Sequence, residues 1–347
     1  MTLQSRTVTR KACVLLALLG GCVSLTLWRQ GTTTPTASLL PALHKETNIS
    51  LLEPVTLLNK CDTSFAVPLT TNSSSTAKPF WVPSYPGSGS ELFRDLVQTL
   101  TGLPAVDITR DGYDACVGSA GHRPATCKSH WPLFPQKAPR LSQPYFQRTA
   151  FLLLRNPAAS LPSWFNYMHE HHIGAVHHTV QAPETEWLAW RDNNFDAQLA
   201  EWKKLLRKWH RGPFELMPVA YERLVNETTG PALLQTVSMN FQRTGIPTSI
   251  AMSNVDGNMD EDIVCLWRKV VQQRPVKKRQ GHSYRPSFTA KQQTTMLQVL
   301  DSLHDQLSTD TVLVDILAGY RHQIANHLRL DNTTATSNAS LASRINV

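Results

Sequence analysis

Glycines, hydroxyls, cations and a histidine occur along the chain in short groups whose spacing suits a phosphate-containing ligand. The first group is Ser-Tyr-Pro-Gly-Ser-Gly-Ser at positions 84–90. Gly87 and Gly89 permit the close backbone approach that an anion requires, and Ser88 and Ser90 add hydroxyl donors. This composition is also typical of an ordinary turn. The pattern Gly-x-x-x-x-Gly-Lys-Ser/Thr is absent from it, which disfavours a kinase or ATPase of the Walker class.

The next groups offer a base and further cations. Lys128 and His130 lie in the segment Lys-Ser-His-Trp-Pro, and histidine has the unperturbed pKa required to deprotonate a hydroxyl near neutral pH. Arg155 follows a compact apolar run, and its planar guanidinium suits a phosphate better than a lysine does. Ser163 follows eight residues later. A structural histidine, an exposed lysine and a surface ion pair are the alternative interpretations.

Alternating strands and helices would position these groups. The apolar run 79–85 predicts a strand, and apolar residues between positions 92 and 100 recur at helical spacing. Further strands are predicted over 149–154 and 215–221, and further helices over 157–168, 185–209, 230–244, 260–273, 289–307 and 311–327. Residues 107–144, rich in Gly, Pro and His, are predicted to be loop. This alternation predicts an α/β fold, a P-loop-like arrangement of three layers with a central parallel sheet flanked by helices.

The N-terminal residues predict a membrane anchor. Arg6, Arg10 and Lys11 precede the apolar run 12–28, and Arg29 follows it. This charge bias places the N-terminus in the cytoplasm, and the run reaches the short end of what spans a bilayer. We expect a type II Golgi membrane protein, with secretion after signal cleavage as the alternative. Its parts would be a cytoplasmic tail (1–11), a signal anchor (12–28), a Ser/Thr/Pro-rich lumenal stem (29–78), a globular domain (79–330) and a disordered polar tail (331–347).

Sequons, cysteines and charge agree with a lumenal location. The chain contains five Asn-x-Ser/Thr sequons, at Asn48, Asn72, Asn226, Asn332 and Asn338. Beyond the anchor, Cys116 with Cys127 would close a short loop, which leaves Cys61 for Cys265. The formal net charge is +8, and removing the four basic residues of the N-terminal part leaves about +4. That charge suits anionic small ligands or acidic glycans better than nucleic acid.

In this order, the groups resemble the sulfotransferase family that uses 3'-phosphoadenosine-5'-phosphosulfate. The resemblance is carried by segments 84–90 and 128–132, by Arg155 with Ser163, and by Tyr-Glu-Arg-Leu at 221–224. The first segment is similar to the 5'-phosphosulfate loop, in the Pro-Gly-Ser-Gly version of some Golgi-type members. The likeness extends over about residues 79–293.

The resemblance implies roles for these residues. His130 would be the catalytic base, and Lys128 would stabilise the leaving phosphate. Arg155 and Ser163 would hold the 3'-phosphate of the donor, and Tyr221 would lie near its adenine.

A late basic loop of the family, which also contacts the 3'-phosphate, is imperfectly matched here by Arg279 and Gly281. The chain departs from the family at two further places. Gly87 replaces a lysine common in cytosolic members, so that Lys128, Arg94 or backbone N–H groups would have to stabilise the leaving group. Glu91 stands where threonine is usual, and a carboxylate beside a phosphosulfate is unfavourable unless it points away or is itself catalytic.

The expected activity is therefore sulfuryl transfer to a hydroxyl in the secretory lumen. A glycan or glycoprotein is the first expected acceptor, protein tyrosine the second and a small metabolite the third. The alternative is a non-catalytic, glycan-binding relative. Five histidines between positions 169 and 178 fit no defined metal site, and indicate an acceptor-facing loop or a solvated turn. We expect no metal, and no nucleic-acid partner for the basic run 277–279.

Overall fold

The computed structural model describes residues 77–117, 123–132, 145–175, 179–249, 259–273, 280–281 and 284–345. The predicted cytoplasmic tail, anchor and almost all of the stem lie outside these ranges, as does Cys61 of the second expected disulfide. Within the described ranges, none of the helices is both long and apolar enough to span a membrane.

The first half of the domain runs from the first sheet strand to the strand that carries Arg155. Its elements in chain order are β1 (Phe80–Pro83), α1 (Ser90–Thr101), β2 (Ala105–Asp107), α2 (Ile108–Asp111), α3 (Tyr113–Val117), β3 (Thr126–Ser129) and β4 (Thr149–Leu154).

The second half adds one sheet strand and the longer helices. Its elements are α4 (Pro157–His172), β5 (Val180–Gln181), α5 (Glu184–His210), β6 (Glu215–Ala220), α6 (Tyr221–Leu224), α7 (Gly230–Arg243), α8 (Met259–Trp267), a π-helical turn (Arg268–Gln272), β7 (Gln280–Gly281), α9 (Ala290–Gln306) and α10 (Thr311–Ile345).

Five strands form a central sheet in the order β2-β3-β1-β4-β6, and all of their pairings are parallel. The register of β4 and β6 pairs Thr149 with Glu215 and continues to Leu154 with Ala220. Helices cover both faces of the sheet, as parallel sheets require. The predicted fold class, an α/β arrangement with a central parallel sheet flanked by helices, is therefore confirmed.

Alternation along β1 and β4 divides the core between the two faces of the sheet. Phe80, Val82, Phe151 and Leu153 belong to a buried cluster with α1, α7 and α8. The intervening residues, such as Trp81 and Leu152, pack with α5, α9 and α10. Of the tryptophans on α5, three are buried in the core (Trp187, Trp202 and Trp209), and Trp190 is half-buried.

The predicted loop 107–144 contains a sheet strand. Residues Ala125, Thr126 and Cys127 are buried. β3 lies between β2 and β1, and each residue of β3 has a partner on β1. The prediction of loop was wrong here because the run is short and carries Lys128, so it lacks the apolar composition of a buried strand. The expected disulfide between Cys116 and Cys127 is confirmed, with the two Cα atoms 5.7 Å apart.

The last helix is longer than the sequence predicts. A helix ending near position 327 and a disordered tail from position 331 were expected, whereas α10 continues to Ile345. Residues 328–345 contain neither glycine nor proline, so no residue in this stretch interrupts backbone hydrogen bonding.

Candidate functional site

The predicted site residues follow the carboxyl ends of neighbouring strands. The loop 84–89 follows β1, His130 follows β3, Arg155 follows β4 and Tyr221 follows β6. Because β3 and β4 pair with opposite edges of β1, the chain crosses from one side of β1 to the other. In open α/β sheets, ligands bind outside the carboxyl ends of the strands at such a crossing.

The two glycines of the loop have no room for a side chain. Both have left-handed backbone conformations, with φ of 82° at Gly87 and 84° at Gly89. A Cβ atom on Gly87 would lie 2.5 Å from the carbonyl oxygen of Ser160 on α4, and one on Gly89 would lie 2.2 Å from the ring of Tyr221. The loop is thus packed between α4 and Tyr221. Any lysine at position 87 would clash with the α4 backbone.

Arg155 joins the loop to Tyr221. Its Nη1 donates a hydrogen bond to the Gly87 carbonyl oxygen at 2.9 Å, and its guanidinium carbon lies 4.3 Å from the centre of the Tyr221 ring. Ser163 reaches the same loop, because its Cβ would be 3.1 Å from a Cβ on Gly87. Gly87, Gly89, Arg155, Ser163 and Tyr221 are therefore brought together.

Several donors at this place are buried without a hydrogen-bond partner among the described residues. They are the hydroxyl of Ser88, Nη1 of Arg94 and Nε of Arg155. Gly89 caps α1 without a side-chain hydrogen bond, which leaves the first N–H groups of that helix without a side-chain acceptor. Buried donors and an uncapped helix start suit an anion, so these residues could hold a phosphate group.

Lys128 contacts two carboxylates. Its Nζ lies 2.8 Å from Asp107 Oδ2 and 3.3 Å from Glu91 Oε1. Burial alone would raise the pKa of the Asp107 carboxyl, but the charge and hydrogen bond of Lys128, with hydrogen bonds from Thr109, lower it to about 2. Two carboxylates of the same chain therefore compensate the positive charge of Lys128 when no ligand is bound.

Glu91 contacts a second cation besides Lys128. Its second oxygen, Oε2, lies 2.6 Å from Nη2 of Arg94. Arg94, Glu91, Lys128 and Asp107 therefore form a chain of charges of alternating sign at the start of α1. Arg94 is engaged by a carboxylate through one nitrogen and keeps a buried, unpartnered donor on another.

His130 is buried at the end of β3, with 8% of its surface exposed. Its Nδ1 lies 2.7 Å from the carbonyl oxygen of Ser84, so Nδ1 carries the proton and donates it, and the ring lone pair lies on Nε2. Burial, and secondarily the charge of Lys128, lower the pKa of His130 to about 4. The imidazole is therefore neutral near pH 7, the form that a general base requires.

The structure describes only one of the two residues predicted for the late basic loop. Arg279 lies outside the described residues. Gly281 belongs to β7, which pairs with β5, so that Gly281 is opposite Gln181.

The predicted histidine cluster lies at the end of α4, and its members His177 and His178 are outside the described ranges. His169 contacts Glu186, with Nδ1 and Oε2 3.0 Å apart, whereas His171 and His172 are exposed. In the part of the chain that the structure describes, no group of three or more His, Cys, Asp or Glu is placed to hold a metal ion.

Two neighbours of the predicted site residues were not singled out from the sequence. Asp107 begins the segment predicted to be loop; a carboxylate directly after the apolar pair 105–106 would have been its signal. Glu222 accepts a hydrogen bond from the Asn156 N–H at 2.9 Å, and so ties the turn after β4, next to Arg155, to α6. It stands in the segment 221–224, beside Tyr221.

The chain matches no model of a known protein family, no curated protein and no solved structure.

Proposed function

We propose that this protein is a sulfotransferase that moves the sulfuryl group of 3'-phosphoadenosine-5'-phosphosulfate to a hydroxyl, with a glycan as the preferred acceptor class. Protein tyrosine and small metabolites are the other acceptor classes. The supporting observation is that the glycine loop, Arg155 and Ser163 are packed together at the carboxyl edge of a parallel sheet, with buried donors that have no hydrogen-bond partner in the described part of the chain.

The donor's anionic groups fit the residues present. The loop N–H groups, Ser88, Ser90 and Arg94 would hold the 5'-phosphosulfate, and Arg155 with Ser163 would hold the 3'-phosphate. A planar guanidinium whose Nε has no partner within the described ranges suits bidentate contact with phosphate oxygens. The Tyr221 ring, whose centre lies 4.3 Å from the guanidinium carbon of Arg155, would lie near the adenine.

The reaction needs an in-line arrangement and cations where charge develops. The acceptor oxygen attacks sulfur, the bond from sulfur to the bridging phosphate oxygen breaks, and the hydroxyl proton passes to a base. His130 would take that proton on Nε2, since Nδ1 is occupied by Ser84. Lys128 would stabilise the negative charge that develops on the bridging oxygen. The donor's negative charges would raise the pKa of His130 from about 4 toward neutral, which improves it as a base.

A non-catalytic lumenal protein that binds glycans is the second candidate. The observation that favours it is the pairing of Lys128 with both Glu91 and Asp107, because a lysine neutralised in this way contributes less charge to a leaving group. Incorporation of radiolabelled sulfate from the donor into a panel of glycans distinguishes the candidates. Transfer by the wild-type chain supports the enzyme, and its absence despite glycan binding supports the second candidate.

Binding of the reaction product, adenosine 3',5'-bisphosphate, tests the proposed donor site directly. The product should raise the unfolding temperature of the purified full chain, because a ligand that binds only the folded state stabilises it. Arg155→Ala should weaken product binding by about 10- to 100-fold, the range for a lost hydrogen bond to a charged group.

Arg155→Lys and Arg321→Ala are the matched controls. The lysine keeps the charge but lacks the planar fork, so it should restore binding only in part. Arg321 is 58% exposed and pairs with Asp301 on the α9–α10 hairpin, so its loss should leave product binding unchanged. If the wild-type chain is not protected by the product, or if the two alanine variants behave alike, the proposed function is wrong.

A further inference from the structure

The two carboxylates that share Lys128 differ in how firmly they are held. Asp107 is 7% exposed and accepts hydrogen bonds from Thr109, at 2.9 Å from the backbone N–H and 2.6 Å from the hydroxyl. The bond from the Thr109 backbone N–H is the N-cap of α2. Asp107 is therefore anchored by its own turn as well as by Lys128, and stays in place if the lysine gains a new partner.

Glu91 is held by two side-chain cations. Its side chain is 33% exposed, and its oxygens contact Lys128 Nζ at 3.3 Å and Arg94 Nη2 at 2.6 Å. The side chains of Lys128 and Arg94 are 13% and 21% exposed, so the Glu91 carboxylate is the part of this group that water reaches most readily. A partly exposed ion pair of this kind contributes little free energy. Of the two carboxylates, Glu91 is thus the one that another anion can displace from Lys128.

The position of Glu91 is one that attracts anions. It is the second residue of α1, directly after the glycine loop, at a helix start that has no side-chain cap. The partial positive charge of the helix start, the ammonium of Lys128 and the guanidinium of Arg94 all favour a negative group there. In the ligand-free chain, the Glu91 carboxylate is that negative group.

We propose that Glu91 is an internal counter-anion, which competes with the phosphate-linked end of the nucleotide for Lys128 and Arg94 and is displaced when the nucleotide binds. The inference rests on the proposed donor site. It accounts for a carboxylate beside an anion site without making Glu91 a base. The anchored Asp107 holds Lys128 at the sheet edge while its other partner changes. Glu91 thus lowers the affinity for the nucleotide and favours release of the product.

Glu91→Gln tests this inference, because glutamine keeps the size of the side chain and removes the charge. Titration calorimetry with adenosine 3',5'-bisphosphate should show binding about two- to fivefold tighter than in the wild-type chain, which corresponds to the free energy of one partly exposed ion pair. Tighter binding is informative because damage to the fold weakens binding instead.

Asp95→Asn is the matched control. Asp95 lies on the same helix and its carboxylate is similarly exposed, but its oxygen is 3.9 Å from Arg94 Nε, a longer approach than that of Glu91. Its loss removes the same charge and should change product affinity by less than Glu91→Gln does.

The outcomes separate the inference from the function on which it rests. Unchanged or weaker binding by Glu91→Gln, or equal tightening in both variants, overturns the role of Glu91. If product binds the wild-type chain and Arg155→Ala weakens it, the donor site still stands in that case. No binding to the wild-type chain at all overturns both.

Discussion

Burial of His130 should make the protein lose stability as the pH falls from 6.5 toward 4. The imidazole is almost covered, donates through Nδ1 to the Ser84 carbonyl, and has its pKa lowered to about 4 chiefly by burial. The unfolded chain binds this proton near pH 6.5 and the folded chain only near pH 4. Since the unfolded state binds more protons in this interval, the free energy of unfolding falls with the pH there and is insensitive to this group above 6.5.

The size of the effect follows from the shift. Each pH unit within the interval is worth about 1.36 kcal/mol, so a decrease from pH 7 to pH 5 should remove about 2 kcal/mol through His130 alone. His130→Gln removes the titration and retains a polar side chain. Urea unfolding of the full chain at both pH values should show a loss smaller by about 2 kcal/mol in this variant than in the wild type.

His304→Gln provides the control, because the His304 side chain is 46% exposed on α9. Its pH-dependent loss should equal that of the wild type. If His130→Gln loses as much stability as the wild type between pH 7 and pH 5, His130 is not held neutral by burial. Its assignment as a base that is neutral in the free protein would then be refuted.

Two further predictions concern the glycine loop and the proposed compartment. Gly87→Ala should lower the free energy of unfolding by more than about 1 kcal/mol, because the residue has a φ of 82° and its Cβ would lie 2.5 Å from the Ser160 carbonyl oxygen. Gly245→Ala, at a φ of 77° with no atom within 4 Å of the added Cβ, should lower it less. Equal urea midpoints for the two variants would contradict the crowding at Gly87. Asn226 is exposed, and its Oδ1 accepts hydrogen bonds from the Thr228 and Thr229 N–H groups, so we expect it to carry a glycan when the chain is made in a secreting cell. Glycosidase treatment should then reduce the mass of the wild type by one glycan more than that of Asn226→Gln. An identical change in mass would argue against glycosylation at this site.

The strands that can be predicted from the sequence are those with uninterrupted apolar runs. β4 was predicted with its observed bounds because all of its residues after Thr149 are apolar, and Arg155 was placed correctly because it ends that run. β3 could not be predicted, since its four residues include a lysine and two hydroxyls, and its pairing to β1 and β2 decides its conformation. Local pattern therefore locates apolar strands better than polar ones, since β6 at one edge of the sheet was predicted, whereas β3 inside the sheet was not.

The candidate site also combines features that the local sequence predicts with contacts that it does not. The family resemblance implies that Arg155 and Ser163 lie near one ligand group, and both side chains do reach the Gly87 loop. The partners of Lys128 were not predictable, because Glu91 and Asp107 are 37 and 21 residues distant in the chain. The crowding around Gly87 was hidden for the same reason, since it comes from α4. Such contacts join residues that are distant in the chain. They depend on how helices and strands pack together, and short sequence patterns do not reveal that packing.

The bond between Cys116 and Cys127 has a consequence for the lysine that follows it. Cys127 lies one residue before Lys128 on a strand of four residues, and Cys116 lies on α3, outside the sheet. The covalent link therefore tethers the backbone that presents Lys128 to a neighbouring helix. Reduction would release this tether without altering a single charged group. The geometry of the lysine and its two carboxylates is in this way coupled to the thiol chemistry of the surroundings in which the chain folds.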